Sequence, residues 1–180
     1  MLYMFLAQGF EEVEAIACLD VIRRASIEIK TVGIASKCVT GSHGITVEAD
    51  LNEEDIILDN SLDGVILPGG MPGTLNLKEN STVNAAIDFC AENGKLLCAI
   101  CAAPLILGNK NLLVGKNAVC FPGFESELRD ANISEEFVCT DGKIITAKGM
   151  GSAINFGLEI VKHFKGEQAS ADLKATLQCS

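Results

Sequence analysis

Short apolar runs alternate along the chain with segments that repeat apolar positions every three to four residues. Residues 2–7, 63–67 and 95–100 are brief and apolar, and 27–34 is rich in β-branched residues. Runs of this kind predict strands buried on both faces. Between them, residues 11–24 carry a helical pattern, with acids in the first turn and Arg23 and Arg24 in the last, which suits the helix dipole. Residues 81–92 form a second helical segment, with Ser81 as the expected cap and Asn93-Gly94 as the stop. A short β-like stretch at 45–47 follows a turn at 41–44, and Pro68-Gly69-Gly70 turns the strand at 63–67 into a tight loop. Pro104 falls early in a further helix, where its missing N–H costs little. Residues 137–139 and 143–147 flank Thr140-Asp141-Gly142, a hairpin signal. Helical patterns close the chain at 149–164 and 167–177. The alternation predicts one α/β domain over residues 1–180, with a mainly parallel central sheet and helices on both faces. Functional groups in such a sheet gather at the carboxyl ends of the strands, here 8–14, 68–73 and 101–104.

Composition narrows the classes. With 14 basic and 24 acidic side chains among 180 residues, the net charge is −10, which disfavours a grip on nucleic-acid phosphates or on an anionic membrane. The apolar run 96–108 is interrupted by Pro104 and falls short of the roughly 18 residues of a membrane span. The start, MLYMFLAQGFEE, has no basic region ahead of its apolar residues, so no signal peptide is expected. A cytoplasmic location with reduced thiols follows as the expectation. The eight cysteines are scattered, without the pattern of a disulfide framework. Cys98 and Cys101 form a CxxC, but its first cysteine falls inside a strand and no second pair accompanies it. Neither a metal nor another cofactor is expected.

One cysteine stands apart. Cys101 lies where the apolar strand 95–100 passes into a helix, and Ala99, Ala102 and Ala103 leave room for a sharp turn. This is the logic of a nucleophile elbow, and a helix start would favour the thiolate. Cys98 reads as a core residue. Gly69 and Gly70 allow backbone N–H groups to approach a ligand, and with the Ala102 N–H they could form an oxyanion site. Glu11 and Glu12 read as exposed acids of the first helical turn. Glu14 shares a stripe with Cys18, Val21 and Ile22. Two readings stay open for it: a desolvated carboxyl that keeps its proton and donates to a thiolate, or an edge residue that reaches water. His43, in a loop, and His163, near a helix end, do not neighbour Cys101 in sequence, so a Cys–His hydrolase has no support.

Gly9-Phe-Glu-Glu-Val-Glu14, Asp20-Val-Ile-Arg-Arg24, Val65-Ile-Leu-Pro-Gly-Gly70, Ala99-Ile-Cys-Ala-Ala-Pro104 and Lys148-Gly-Met-Gly-Ser152 occur in this order. Together they resemble the ThiJ/PfpI superfamily, in the branch of the Parkinson-disease protein deglycase. The resemblance implies a flavodoxin-like three-layer sandwich and a homodimer. It implies that Cys101 is an oxidisable nucleophile, Glu14 its protonated partner, and Gly70 and Ala102 the N–H donors. The implied activity is cofactor-free action on methylglyoxal or glyoxal, or repair of their adducts, with a small aldehyde or glycated group as substrate. A redox sensor or redox-regulated chaperone is the alternative, ahead of a thiazole-biosynthesis protein or a protease. Three further positions are carried by the resemblance as secondary candidates: Gly69, Asp20 near the partner subunit's site, and His43 near the dimer interface. Two departures bear on mechanism. Ala102 stands where the protease and amidotransferase branches have histidine, and Phe121-Pro122 stands where some deglycase-branch members have His-Pro.

Overall fold

The computed structural model describes residues 1–179. Its centre is a seven-stranded sheet built on β1 (Leu2–Leu6), every residue of which is buried. Tyr3 and Phe5 face one side with Leu67, Leu97 and Ile106, while Leu2, Met4 and Leu6 face the other with Cys98, Ile145 and Phe156. A strand covered on both faces has no use for polar alternation, which is why its sequence is continuously apolar. The chain runs from β1 through α1 (Glu12–Arg24) to β2 (Ile29–Gly33). A two-stranded ribbon follows, β3 (Cys38–Thr40) with β4 (Thr46–Glu48), then β5 (Leu51–Asn52) at one sheet edge.

The path then crosses β1. Next come β6 (Gly64–Leu67), α2 (Gly73–Glu79), α3 (Ser81–Glu92), β7 (Leu96–Ile100) and α4 (Pro104–Asn109). A small pair, β8 (Asn117–Ala118) and β9 (Asn132–Ile133), precedes the hairpin of β10 (Val138–Asp141) and β11 (Ile144–Ala147). The chain closes with α5 (Ala153–Lys165) and α6 (Glu167–Thr176). The sheet order is β10-β11-β7-β6-β1-β2-β5, with every neighbouring pair parallel except β10 and β11. This is the expected flavodoxin-like three-layer arrangement, with α1 and α5 on one face and α2, α3 and α4 on the other. The strand order reverses between β1 and β6, so the carboxyl ends of β1, β6 and β7 frame the crevice where such folds place their chemistry.

Local differences have simple causes. Asn80, not Ser81, caps α3: the Val83 N–H donates to Asn80 Oδ1 at 2.9 Å and Ser81 becomes the first helical residue. Two good capping residues stand side by side, and the chain uses the first. The helix expected from residue 149 opens as a 3-10 turn, Met150–Ser152, before α5 begins. Among the described residues, no helix is long and apolar enough to cross a membrane.

Candidate active site

Cys101 follows β7 directly and holds a left-handed backbone, φ +64°. For a residue with a side chain this costs on the order of 1–2 kcal/mol, so neighbouring contacts must impose it. Its N–H donates to Ala147 O at 2.9 Å, and its carbonyl accepts the Phe121 N–H at 2.8 Å. The sharp turn presents the half-buried sulfur above the sheet, as the sequence anticipated.

Glu14 meets it from α1. Only 1% exposed, this carboxyl is turned inward, and Oε2 accepts the Gly69 N–H at 2.9 Å. Gly69 packs against both partners: an added Cβ would lie 2.6 Å from Glu14 Oε2 and 2.7 Å from Cys101 Cβ, so glycine alone fits. Gly70, at φ +91°, brings its N–H round toward the sulfur, and the Ala102 N–H faces it too. Of the two readings open for Glu14, the buried one holds. Burial pushes its carboxyl up to about 7; the Cys101 thiol and the Gly69 N–H pull down against that, and the charge of Glu11 adds to the rise.

The thiol differs from the sequence expectation, which had a helix start lowering its pKa. Burial, then the Glu14 charge beside it, push Cys101 up to about 12, against the pull of the Ala102 and Gly70 N–H groups. The short α4 begins only at Pro104, beyond Cys101 and Ala102. A thiolate near neutral pH therefore requires Glu14 to hold the proton. The two groups lose protons as one system, and the first leaves near the Glu14 value.

Glu11 and Glu12 are not the exposed acids expected. Glu11 caps α1: its Oε2 accepts the Glu14 N–H at 2.7 Å, and its own N–H donates to Gly69 O at 2.9 Å. It thus fixes the Glu14 backbone and adds charge nearby, a role hidden from the sequence because Glu ranks low as a cap. Glu12 is 4% exposed because the loop after β3 folds over it. Its carboxylate accepts the His43 N–H at 2.8 Å, the Ile45 N–H at 3.3 Å and His43 Nδ1 at 3.0 Å. These bonds outweigh desolvation and hold it down at about 2.

His43 accordingly anchors a loop and stays largely exposed, with no contact to the thiol. Glu11, Glu12 and His43 do bring one potential ligand atom each within 4.8 Å of one another, but the Glu12 oxygens are already engaged by the loop. Asp20 lies on the open face of α1, paired with Arg24 at 2.6 Å, and is not brought to Cys101 within this chain. It borders an apolar depression of about 550 Å³ with Val13, Ile16, Ala17, Ile45 and Val47. His163 lies near Lys143, 3.4 Å from its Nζ, far from the pair in the fold. The structure thus brings together Cys101, Glu14, Gly69, Gly70 and Ala102, and leaves Asp20 and His43 apart.

Fold and site define a flavodoxin-like α/β protein centred on a cysteine–carboxyl pair at the strand ends. The chain matches the DJ-1/PfpI family over residues 1–163, and it belongs to that family. It is 33% identical to the zebrafish Parkinson disease protein 7 homolog over 97% of this chain and 94% of that protein. Arabidopsis protein DJ-1 homolog B is 34% identical over 96% of this chain, which spans only 40% of that longer relative. A glutathione-independent glyoxalase of Caenorhabditis elegans, DJR-1.2, is 27% identical over 91% of this chain and 87% of its own. Oxidized DJ-1 of Toxoplasma gondii superposes with a TM-score of 0.94 at 30% identity, covering 99% of this chain and 98% of that one.

Proposed function

We propose that this protein acts on 2-oxoaldehydes such as methylglyoxal, or on their adducts with thiols and amines, in a stress-response role in the cytoplasm. The observation that carries the reading is the Glu14 carboxyl, buried and held near 7, against a cysteine at a strained elbow. The proton lies on Glu14 and the charge on sulfur in the reactive state. Two backbone N–H groups, Gly70 and Ala102, face the sulfur, while Gly69 alone serves the carboxyl and Glu11 opposes a second charge there.

The sulfur adds to the aldehyde carbon, forming a C–S bond, and the oxygen becomes an alkoxide held by the Gly70 and Ala102 N–H groups. Glu14 gives it a proton. The carboxylate so formed removes the proton from the former aldehyde carbon and returns it to the neighbouring carbonyl carbon, while the proton on the former aldehyde oxygen passes to the neighbouring oxygen and leaves a thioester carbonyl behind. A thioester of a 2-hydroxy acid results, and water releases the acid and the thiol. The sum is addition of one water without net oxidation, giving lactate from methylglyoxal. The glyoxalase relative in Caenorhabditis elegans supports this class of substrate. Lactate formation by the wild type, lost in Cys101→Ala, is the expected result; equal rates in both proteins refute the reading.

The same donors suit a second state. Gly70, Ala102 and a protonated Glu14 would all hydrogen-bond a sulfinate on Cys101, which favours a redox-sensing role beside turnover. Intact mass after mild peroxide should rise by oxygen atoms in the wild type and not in Cys101→Ser. The homodimer forms, in this reading, through the open face of α1, where Val13 and Ile16 are exposed beside Ile45 of the neighbouring ribbon turn.

A further inference from the structure

We infer that the mouth of the Cys101 site selects aldehydes carrying an aromatic ring and a carboxylate, the ring held by Phe121 and Phe137 and the carboxylate by Lys148. The inference rests on the aldehyde reading above and names the substrate class within it.

A depression of about 340 Å³ is lined by Phe121, Pro122, Phe137, Lys148, Gly149 and Met150. It opens beside the reactive pair. The Phe121 N–H is bonded to the Cys101 carbonyl, and an added Cβ at Gly149 would stand 3.3 Å from the Phe121 ring and 4.0 Å from Glu14 Oε1. Three large apolar side chains crowd this rim half-open to solvent: Phe121 at 48%, Phe137 at 65% and Met150 at 55% exposure. Apolar groups gathered this way at a reactive centre mark a ligand surface. A methyl substituent would cover little of it, whereas a ring spans it.

The rim carries one cation. Lys148 Nζ stands 5.8 Å from the Phe137 ring centroid, and none of the described carboxylates pairs with it, in a chain of net charge −10. The carboxylate of Glu125, on the same side, is turned to the Gly123 N–H at 2.8 Å. The rim holds no imidazole, since His43 is committed to Glu12 and His163 lies beside Lys143. It therefore adds grip and charge and no further proton carrier.

The test compares 4-carboxyphenylglyoxal with methylglyoxal as substrates. The wild type should favour the aromatic acid by about tenfold or more in kcat/KM, as one well-seated ring provides. That ratio should fall about tenfold in Phe121→Ala and about threefold in Lys148→Gln, the usual worth of a rim ion pair. A ratio unchanged in both variants, or a wild type that favours methylglyoxal, overturns the inference. Labelling of Cys101 decides the matter without turnover, using 4-(iodoacetamido)benzoate against iodoacetamide. Should no oxoaldehyde be turned over, the catalytic reading falls, and the labelling ratio still supports or overturns the mouth. Should Phe121→Ala fail to fold, Lys148→Gln and the wild-type ratios carry the test.

Discussion

Removing the Glu14 titration should change how stability depends on pH, in a direction the structure fixes. A carboxyl that ionises near 4.5 in the unfolded chain holds its proton to about 7 in the folded one. Its folded value is raised, so the folded state is favoured fully below 4.5 and loses that advantage as pH climbs through 7. The interval from 4.5 to about 7, at 1.36 kcal/mol per pH unit, amounts to about 3 kcal/mol. Urea unfolding of the wild type and Glu14→Gln, at steps across that window, measures it. Groups that do not face Glu14 cancel in the difference, including His163, whose burial lowers its pKa and gives a slope of the opposite sign. The stability of the variant relative to the wild type should improve by about 3 kcal/mol between pH 4.5 and 7.5 and then level off. Parallel curves would refute a buried, proton-holding Glu14 and, with it, the assignment of the thiolate's proton partner.

Three further outcomes are expected. Gly69→Ala should slow Cys101 labelling at least tenfold, because the added methyl would meet both Glu14 and the cysteine; a normal labelling rate would place the pair elsewhere. Glu12→Ala should destabilise the fold by about 2 kcal/mol at neutral pH by orphaning the His43 and Ile45 N–H groups, with the difference shrinking as wild-type Glu12 is protonated between about 4.5 and 2; proteolysis of the loop at 41–45 would report the same loosening. Sedimentation at micromolar concentration should give a dimer that Ile16→Glu dissociates, since that side chain lies on the apolar face of α1.

The elbow and the glycine pair were legible because each depends on a short stretch of chain. A buried strand must end somewhere, and a cysteine followed by two alanines and a proline at that end reads as an elbow. Glu14 could be narrowed to two readings by helical periodicity, since the stripe it shares with Cys18 and Val21 faces the core. Glu12 could not, because its burial comes from a loop some thirty residues away that folds back over it. The thiol pKa was misread for a related reason. Proximity to a helix in sequence says nothing of the desolvation and the neighbouring carboxylate that the assembled crevice supplies. The rim was invisible as a unit, since Phe121, Phe137 and Met150 belong to three separate connections. The small strands β3, β5, β8 and β9 are two or three residues long and leave almost no periodic signal.

The parts of the reactive pair are far apart in the order of synthesis. Of the four, Glu14 is made first, Gly69 joins it across 55 positions, Cys101 comes later, and Ala147, which accepts the Cys101 N–H, follows them all. Until β11 settles beside β7, the cysteine is an ordinary thiol on a growing chain, open to any electrophile in solution. Only the closed sheet both tunes the sulfur and shelters it. The reactivity of a single side chain thus reports whether β11 has closed against β7, readable in pulse-labelling of nascent or refolding protein.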